Sequence, residues 1–218
     1  MTQDNLAQKI TAFFEADQPF ILDLIERLVL VESPSDRPET QIGVQQIIKD
    51  ELEQLDYAVT IIPGNKSGGW LVAEPAGLDE GAAFQMMVGH TDTVWPIGTL
   101  EKMPLKREGN KWRGPGVFDM KTGDAMMVAA IRCMKQLGLT PTIAPKIFLN
   151  SDEEIGSFES RGEIGEMAKQ AKRALVLEPA KDEDGKIKTA RKGVGRFVIR
   201  AKGKPAHAGL DPTKGASA

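Results

Sequence analysis

Cysteine is nearly absent from this 218-residue chain: Cys133 stands alone, so no internal disulfide can form. Such a sequence suits a reducing compartment, and a cytoplasmic location is the expectation. Histidine is almost as scarce, with two residues, His90 and His207. No apolar run approaches the ~20 residues of a membrane span. The N-terminus shows no basic start followed by an apolar core and a small-residue cleavage site, so no signal peptide is expected. Net charge is -3, from 28 basic and 31 acidic residues, too weak a field to invite nucleic acid or an anionic membrane. Internal repeats, low-complexity tracts and coiled-coil heptads are also missing, which sets aside solenoids and long coiled coils.

What the sequence does have is alternation. At roughly 100 to 200 residues per domain, its length accommodates one full core and part of another. Phe20, Ile21, Leu24, Ile25, Leu28 and Val29 repeat at helical spacing after Asp17, a candidate N-cap, and Pro19, which suits a first turn. Ser33-Pro34-Ser35 ends that pattern. A second helix runs through Ile42, Val44, Ile47, Ile48, Leu52 and Leu55, and a strand follows around 58–62. From Trp70 onward strands are predicted near 70–73, 84–88, 146–150 and 175–177. Helices are predicted over 122–137, with Met126, Met127, Ala130, Ile131 and Met134 inward, and over 161–171. Cys133 falls in the first of these and reads as a small buried apolar residue. The order favours an α/β class, a largely parallel sheet with helices on both faces.

Composition shifts after Pro179. Residues 181–186 form a charged turn that reads as a solvated hairpin tip. Val194, Phe197, Val198, Ile199 and Ala201 then read as a strand that requires a sheet of its own. The expected division is a first domain over 1–190 and the start of a smaller α+β domain over 191–218, with 209–218 a loop leading into a new helix.

Histidine and carboxylates collect at the predicted strand ends. The run 84–88 delivers Gly89-His90-Thr91-Asp92 at its C-terminal end, the edge of an open α/β sheet where ligands bind. Asp119 follows Gly114-Pro115-Gly116-Val117-Phe118, Glu153 and Glu154 follow Ile147-Phe148-Leu149-Asn150, and Glu178 closes Leu175-Val176-Leu177. Each has an ordinary reading. A lone histidine is more often a core or surface residue than a ligand, Asp119 suits a cap for the helix near Lys121, Asp152-Glu153-Glu154 suits an acidic loop, and Glu178 a plain strand exit. All of them at strand ends together point to a metal site. Imidazole and carboxylate ligands suit zinc, and a bridging carboxylate can hold two ions roughly 3.5 to 4 Å apart. Asp92, in reach of the other imidazole nitrogen, fixes the tautomer of His90. Of two adjacent glutamates, one can ligate while the other moves protons, which is equipment for amide hydrolysis.

Gly89-His90-Thr91-Asp92-Thr93-Val94, Gly116-Val117-Phe118-Asp119-Met120-Lys121, Asp152-Glu153-Glu154-Ile155-Gly156-Ser157 and Leu177-Glu178-Pro179 resemble the ordered motifs of the di-zinc metallopeptidases that include glutamate carboxypeptidases, acetylornithine deacetylases and succinyl-diaminopimelate desuccinylases. With Gly203-Lys204-Pro205-Ala206-His207-Ala208-Gly209 the likeness is nearest to the glutamate carboxypeptidase branch. The resemblance implies a zinc-peptidase catalytic domain followed by a dimerisation domain. It implies that His90, Asp119 and Glu178 hold one zinc, that Asp119 bridges to a second held with Glu154, and that Glu153 is general base and acid while Asp92 orients His90. It implies that His207 reaches into the partner subunit of a homodimer to stabilise the oxyanion, and that the Asp119-Met120 peptide is cis. The substrate expected is a small peptide or N-acyl amino acid, with release of a C-terminal glutamate or a similar residue. The family's second-zinc histidine lies late in its catalytic domain, after the dimerisation domain, and no residue here matches it, so the chain reads as the N-terminal part of such an enzyme. An N-acyl amino acid deacylase, or an inactive truncated protein that keeps the fold, are the other expectations.

Overall fold

The computed structural model describes residues 3–193, 195 and 197–217. They divide into two compact units, Met1–Pro179 and Ala180–Ala218, a division that falls ahead of the 190/191 boundary expected from composition. Among the described residues no helix is long and apolar enough to cross a membrane.

The first unit opens with helices α1 (Gln3–Ala16), α2 (Gln18–Val29) and α3 (Pro38–Glu53). Pro19 occupies the first turn of α2, where a missing N–H has no intrahelical partner to lose. Asp17 sits at the N-cap position but makes no capping bond, and its carboxylate accepts instead from Arg132 Nε at 2.8 Å. Helical spacing puts Leu24, Leu28, Val44, Ile48 and Leu52 in the core with no exposure, each burial worth about 1.5 to 3 kcal/mol.

Five strands make one sheet: β1 (Tyr57–Ile62), β2 (Trp70–Pro75), β3 (Phe84–His90), β6 (Ala144–Asn150) and β7 (Ala174–Val176), ordered β1-β2-β6-β3-β7. β3 runs parallel to both β6 and β7, while β2 is antiparallel to both β1 and β6. It follows that β2 alone is reversed, so the sheet is largely parallel as its run-like sequence predicts. Side chains alternate across it. Ile147 and Leu149 of β6 pack with Leu24, Ile48, Met127 and Ile131, while Phe148 packs with Phe84 and Met86 against Ile164 and Met167 on the other face. The last two belong to α6 (Arg161–Gln170), so helices cover both faces.

Helix α5 (Thr122–Gln136) corrects part of the expectation. Met127 and Ile131 are buried, but Met126 is 54% exposed, and the buried set includes Asp124 and Val128. At about 100° per residue, a stripe through positions 124, 127, 128 and 131 turns Met126 outward. Sequence reading also missed α4 (Thr99–Lys102) and the hairpin of β4 (Lys106–Glu108) and β5 (Lys111–Arg113), whose pieces of four and three residues are too short to show a period.

In the second unit, residues 181–186 form the expected charged hairpin tip, closed by a Lys181–Lys186 bridge with Gly185 at φ 70°. Of the strand expected through Val194, Phe197, Val198, Ile199 and Ala201, the described residues form no part. Phe197 is 91% and Ile199 93% exposed, and among the described residues none pairs with them in a ladder. An apolar extended run becomes a strand only where a neighbour offers ladder bonds. Val194 and Ala218 lie outside the described residues.

Candidate metal centre

Strand register assembles the site. In the β3–β6 pair His90 lies opposite Asn150, and in the β3–β7 pair Val88 lies opposite Val176. The residues that leave these parallel strands therefore emerge side by side: Thr91-Asp92 after β3, Ser151 to Glu154 after β6, and Leu177-Glu178 after β7. Gly89 permits close packing behind them, since an added Cβ would stand 2.7 Å from Asp124 Oδ1 and 2.8 Å from Met120 Cε.

His90 is 2% exposed, with its two ring nitrogens in different surroundings. Nδ1 lies 3.0 Å from the Asp92 carbonyl oxygen and 3.3 Å from Asp92 Oδ1. Nε2 faces carboxylates, at 3.1 Å from Asp119 Oδ1, 3.5 Å from Glu178 Oε1 and 4.0 Å from Glu153 Oε2. Asp119 reaches it from an irregular turn over 117–121, in which the Asp119-Met120 peptide is cis, as the resemblance implies. Asp119 does not cap α5: its φ of -121° and ψ of 104° are non-helical, and its carboxylate points to His90.

Two groups of ligand atoms lie within 4.8 Å of one another, His90 with Asp119 and Glu154, and His90 with Glu153 and Glu178. All six expected residues of the first unit are thus brought together, Asp92 behind the imidazole and the others in front of it. Protonation reflects the crowding. Burial, then the charge of Asp119, pushes Glu154 up to about 7, with His90 opposing and Asp92 and Glu153 adding. Burial raises Glu153 too, against His90 and with Glu178, Asp92 and Asp119. Burial pulls His90 down, but hydrogen bonds to Asp92 and Glu178 and the charges of Asp92 and Asp124 outweigh it, pushing the imidazole up to about 12. Carboxylates that raise one another's proton affinity around one imidazole fit a bound cation, whose charge reverses that repulsion.

His207 belongs to the second unit, where it is exposed. Its Nδ1 accepts the N–H groups of Gly209 at 3.2 Å and Leu210 at 3.1 Å, which leaves the ring proton on Nε2.

Several side chains that brace the site's loops escape sequence reasoning. Asp152 is a staple, accepting Ser160 Oγ at 2.5 Å, the N–H of Glu159 at 2.8 Å and Asn150 Nδ2 at 3.1 Å. Glu159 ties the same loop to 65–67, accepting backbone N–H groups from Asn65 at 2.6 Å and Ser67 at 2.9 Å. With the Ser67 hydroxyl as the leading cause, its carboxyl is held down at about 2. Ser35 donates its hydroxyl to Asp92 Oδ2 at 2.6 Å across 57 residues of chain. Only Asp124 left a signal, a carboxylate on the inward stripe of an apolar helix.

Comparison with known proteins identifies the family. A profile described as peptidase family M20/M25/M40 matches residues 86–208, more than half of the chain and the span that holds every candidate ligand. The chain belongs to this family. As an M20/M25/M40 member it is 33% identical to carboxypeptidase G2 of Pseudomonas sp. (strain RS-16), over 98% of this chain and 52% of that protein. It is 28% identical to a probable succinyl-diaminopimelate desuccinylase of Staphylococcus epidermidis, over 92% of this chain and 48% of that protein. The chain thus spans about half the length of the curated relatives it matches. Among solved structures, human carnosine dipeptidase 1 superposes with a TM-score of 0.66 at 18% identity, over 79% of this chain and 42% of that one. Aminopeptidase PepT from Bacillus cereus superposes with a TM-score of 0.64 at 20% identity, over 89% and 52%. At those identities the structures show a shared fold.

Proposed function

We propose that this M20/M25/M40 chain carries the metal centre of a hydrolase that cleaves a peptide or amide bond, with zinc as the metal. The observation that carries the reading is the convergence of Asp119 and Glu178 on His90 Nε2, with Glu154 in reach of His90 and Asp119. In this reading His90, Asp119 and Glu178 would hold one ion, and Asp119 and Glu154 would hold a second. Bound there, the ions supply Lewis-acid activation of a water and of the scissile carbonyl. Asp92 keeps His90 in the Nδ1–H form, so that Nε2 presents its lone pair forward. Glu153, its Oε2 at 4.0 Å from Nε2, takes the proton of the attacking water and delivers it to the leaving amine. His207, with Nδ1 occupied by two backbone donors, presents Nε2–H to the developing oxyanion, in the neighbouring subunit of a cytoplasmic homodimer.

The stronger likeness to a carboxypeptidase favours a peptide substrate whose C-terminal residue, glutamate or similar, is released. The desuccinylase relative supports N-acyl amino acid cleavage as the second reading, and a panel of C-terminal glutamyl peptides and N-acyl amino acids separates the two. Metal content and turnover of two variants test the mechanism. Glu153→Gln is expected to lose at least about a hundredfold in turnover with zinc content kept, whereas Glu154→Gln loses the second zinc. Equal zinc loss in both variants would overturn the division of labour.

A further inference from the structure

We propose that Ser35 is a positioning residue of the metal centre, its hydroxyl fixing the Asp92 carboxylate that orients His90 and receives the Glu153-Glu154 backbone. The inference rests on the metal reading above. Asp92 is fully buried, and its two oxygens face four donors. Oδ1 lies 3.3 Å from His90 Nδ1 and accepts the Glu153 N–H at 3.2 Å. Oδ2 accepts the Ser35 hydroxyl at 2.6 Å and the Glu154 N–H at 3.2 Å. Three of these donors belong to the residues that need positioning. Ser35 alone brings an anchor from elsewhere, and its contact is the shortest.

The anchor itself is well held. Ser35 is 7% exposed, and its N–H donates to the Thr93 carbonyl at 3.2 Å. Thr93 N–H returns a bond to the Ser33 carbonyl at 2.9 Å, and the Ser33 hydroxyl donates to the Thr91 carbonyl at 2.6 Å. Between the two serines, the Pro34 carbonyl accepts Gln41 Nε2 of α3 at 3.0 Å. Segment 33–35 is therefore stitched to 91–93 on both sides of Asp92. The other acceptor near the Ser35 hydroxyl, the Thr93 carbonyl, is 3.5 Å away, so the hydroxyl proton goes to Asp92. Without it, buried Oδ2 loses its closest donor and the carboxylate can turn, so that of the two Asp92 acceptors at Nδ1, the carboxylate at 3.3 Å and the main-chain carbonyl at 3.0 Å, only the carbonyl stays fixed and the aim of Nε2 is loosened.

Zinc affinity of the protein, measured by competition with a chromophoric chelator, tests this together with solvent exchange of the His90 Nδ1–H proton in metal-free protein. Ser35→Ala is expected to bind zinc about tenfold more weakly and to exchange that proton about tenfold faster, while Ser35→Thr, which keeps the hydroxyl, stays within about twofold. Tyr57→Phe, which removes a buried hydrogen bond to the Pro145 carbonyl away from the site, serves as the stability control and keeps wild-type affinity. Wild-type behaviour of Ser35→Ala, equal weakness of Ser35→Thr, or an equal loss in Tyr57→Phe overturns the role. If Ser35→Ala does not accumulate folded, Ser35→Cys replaces it, with an intermediate loss expected and none counting against the role. A wild-type protein that binds no zinc sinks the metal reading, and proton exchange then decides Ser35 alone: faster in Ser35→Ala supports it, unchanged rejects it.

Discussion

Asp124 is buried at a cost. Both carboxyl oxygens are buried without a hydrogen-bond partner, and burial, tempered by the charges of His90 and Lys121, pushes the group from its ordinary 3.8 up to about 8. Lys121, 1% exposed, is pulled by burial down to about 8, although its Nζ donates to the Val31 carbonyl at 2.5 Å. For Asp124 the sign is clear. Between about pH 4 and pH 8 the folded carboxyl holds a proton that the unfolded chain has released, so stability is full below about 4 and lost as pH rises through about 8. Metal-free Asp124→Asn should escape this, with wild type losing up to about 1.4 kcal/mol per pH unit relative to the variant across that window. Urea midpoints at pH 5 and pH 8 measure it, and parallel profiles would contradict it. His90 acts in the same direction at higher pH, which is why the comparison is between variant and wild type. The candidate cluster around His90 was legible at this scale because His90, Asp119, Glu153-Glu154 and Glu178 stand in ordered sequence motifs. Ser35 was not, since nothing local marks a serine that meets its carboxylate 57 residues away.

Among elements, the contact between α5 and the end of β7 sets the position of Glu178. A Cβ on Gly123 would lie 2.1 Å from the Leu177 carbonyl oxygen and 2.9 Å from Met120 Cε, so the helix approaches the strand exit as only glycine permits. Gly123→Ala is expected to destabilise by about 1 to 3 kcal/mol or more and to weaken zinc binding by displacing Leu177-Glu178. Denaturant midpoints with the zinc titration check both, and wild-type values in either would show that the contact relaxes freely. Strands were readable here because each contains a short apolar run, and β1 and β2 are bounded by Pro63 and Gly69. The β4–β5 hairpin was not readable, because a three-residue exposed strand carries no period. Met126 was misjudged because an alanine- and methionine-rich helix leaves the centre of its inward stripe ambiguous.

At the scale of the molecule, the parallel run of β3, β6 and β7 places the exits that carry His90, Glu153-Glu154 and Glu178 at the same edge of the sheet. The α/β class was legible from alternation alone. The strand through Phe197 and Ile199 was misread because β-propensity needs a partner ladder, which no sequence window contains. The convergence on His90 Nε2 is the point on which the proposed function rests. Anomalous diffraction above the zinc edge, from crystals of the protein grown with zinc, tests it directly. The expected map has a peak about 2.0 to 2.2 Å from His90 Nε2 and from carboxylate oxygens of Asp119 and Glu178, and the peak disappears in His90→Ala. A wild-type map with zinc bound elsewhere, or with nothing at this position, would contradict the metal centre.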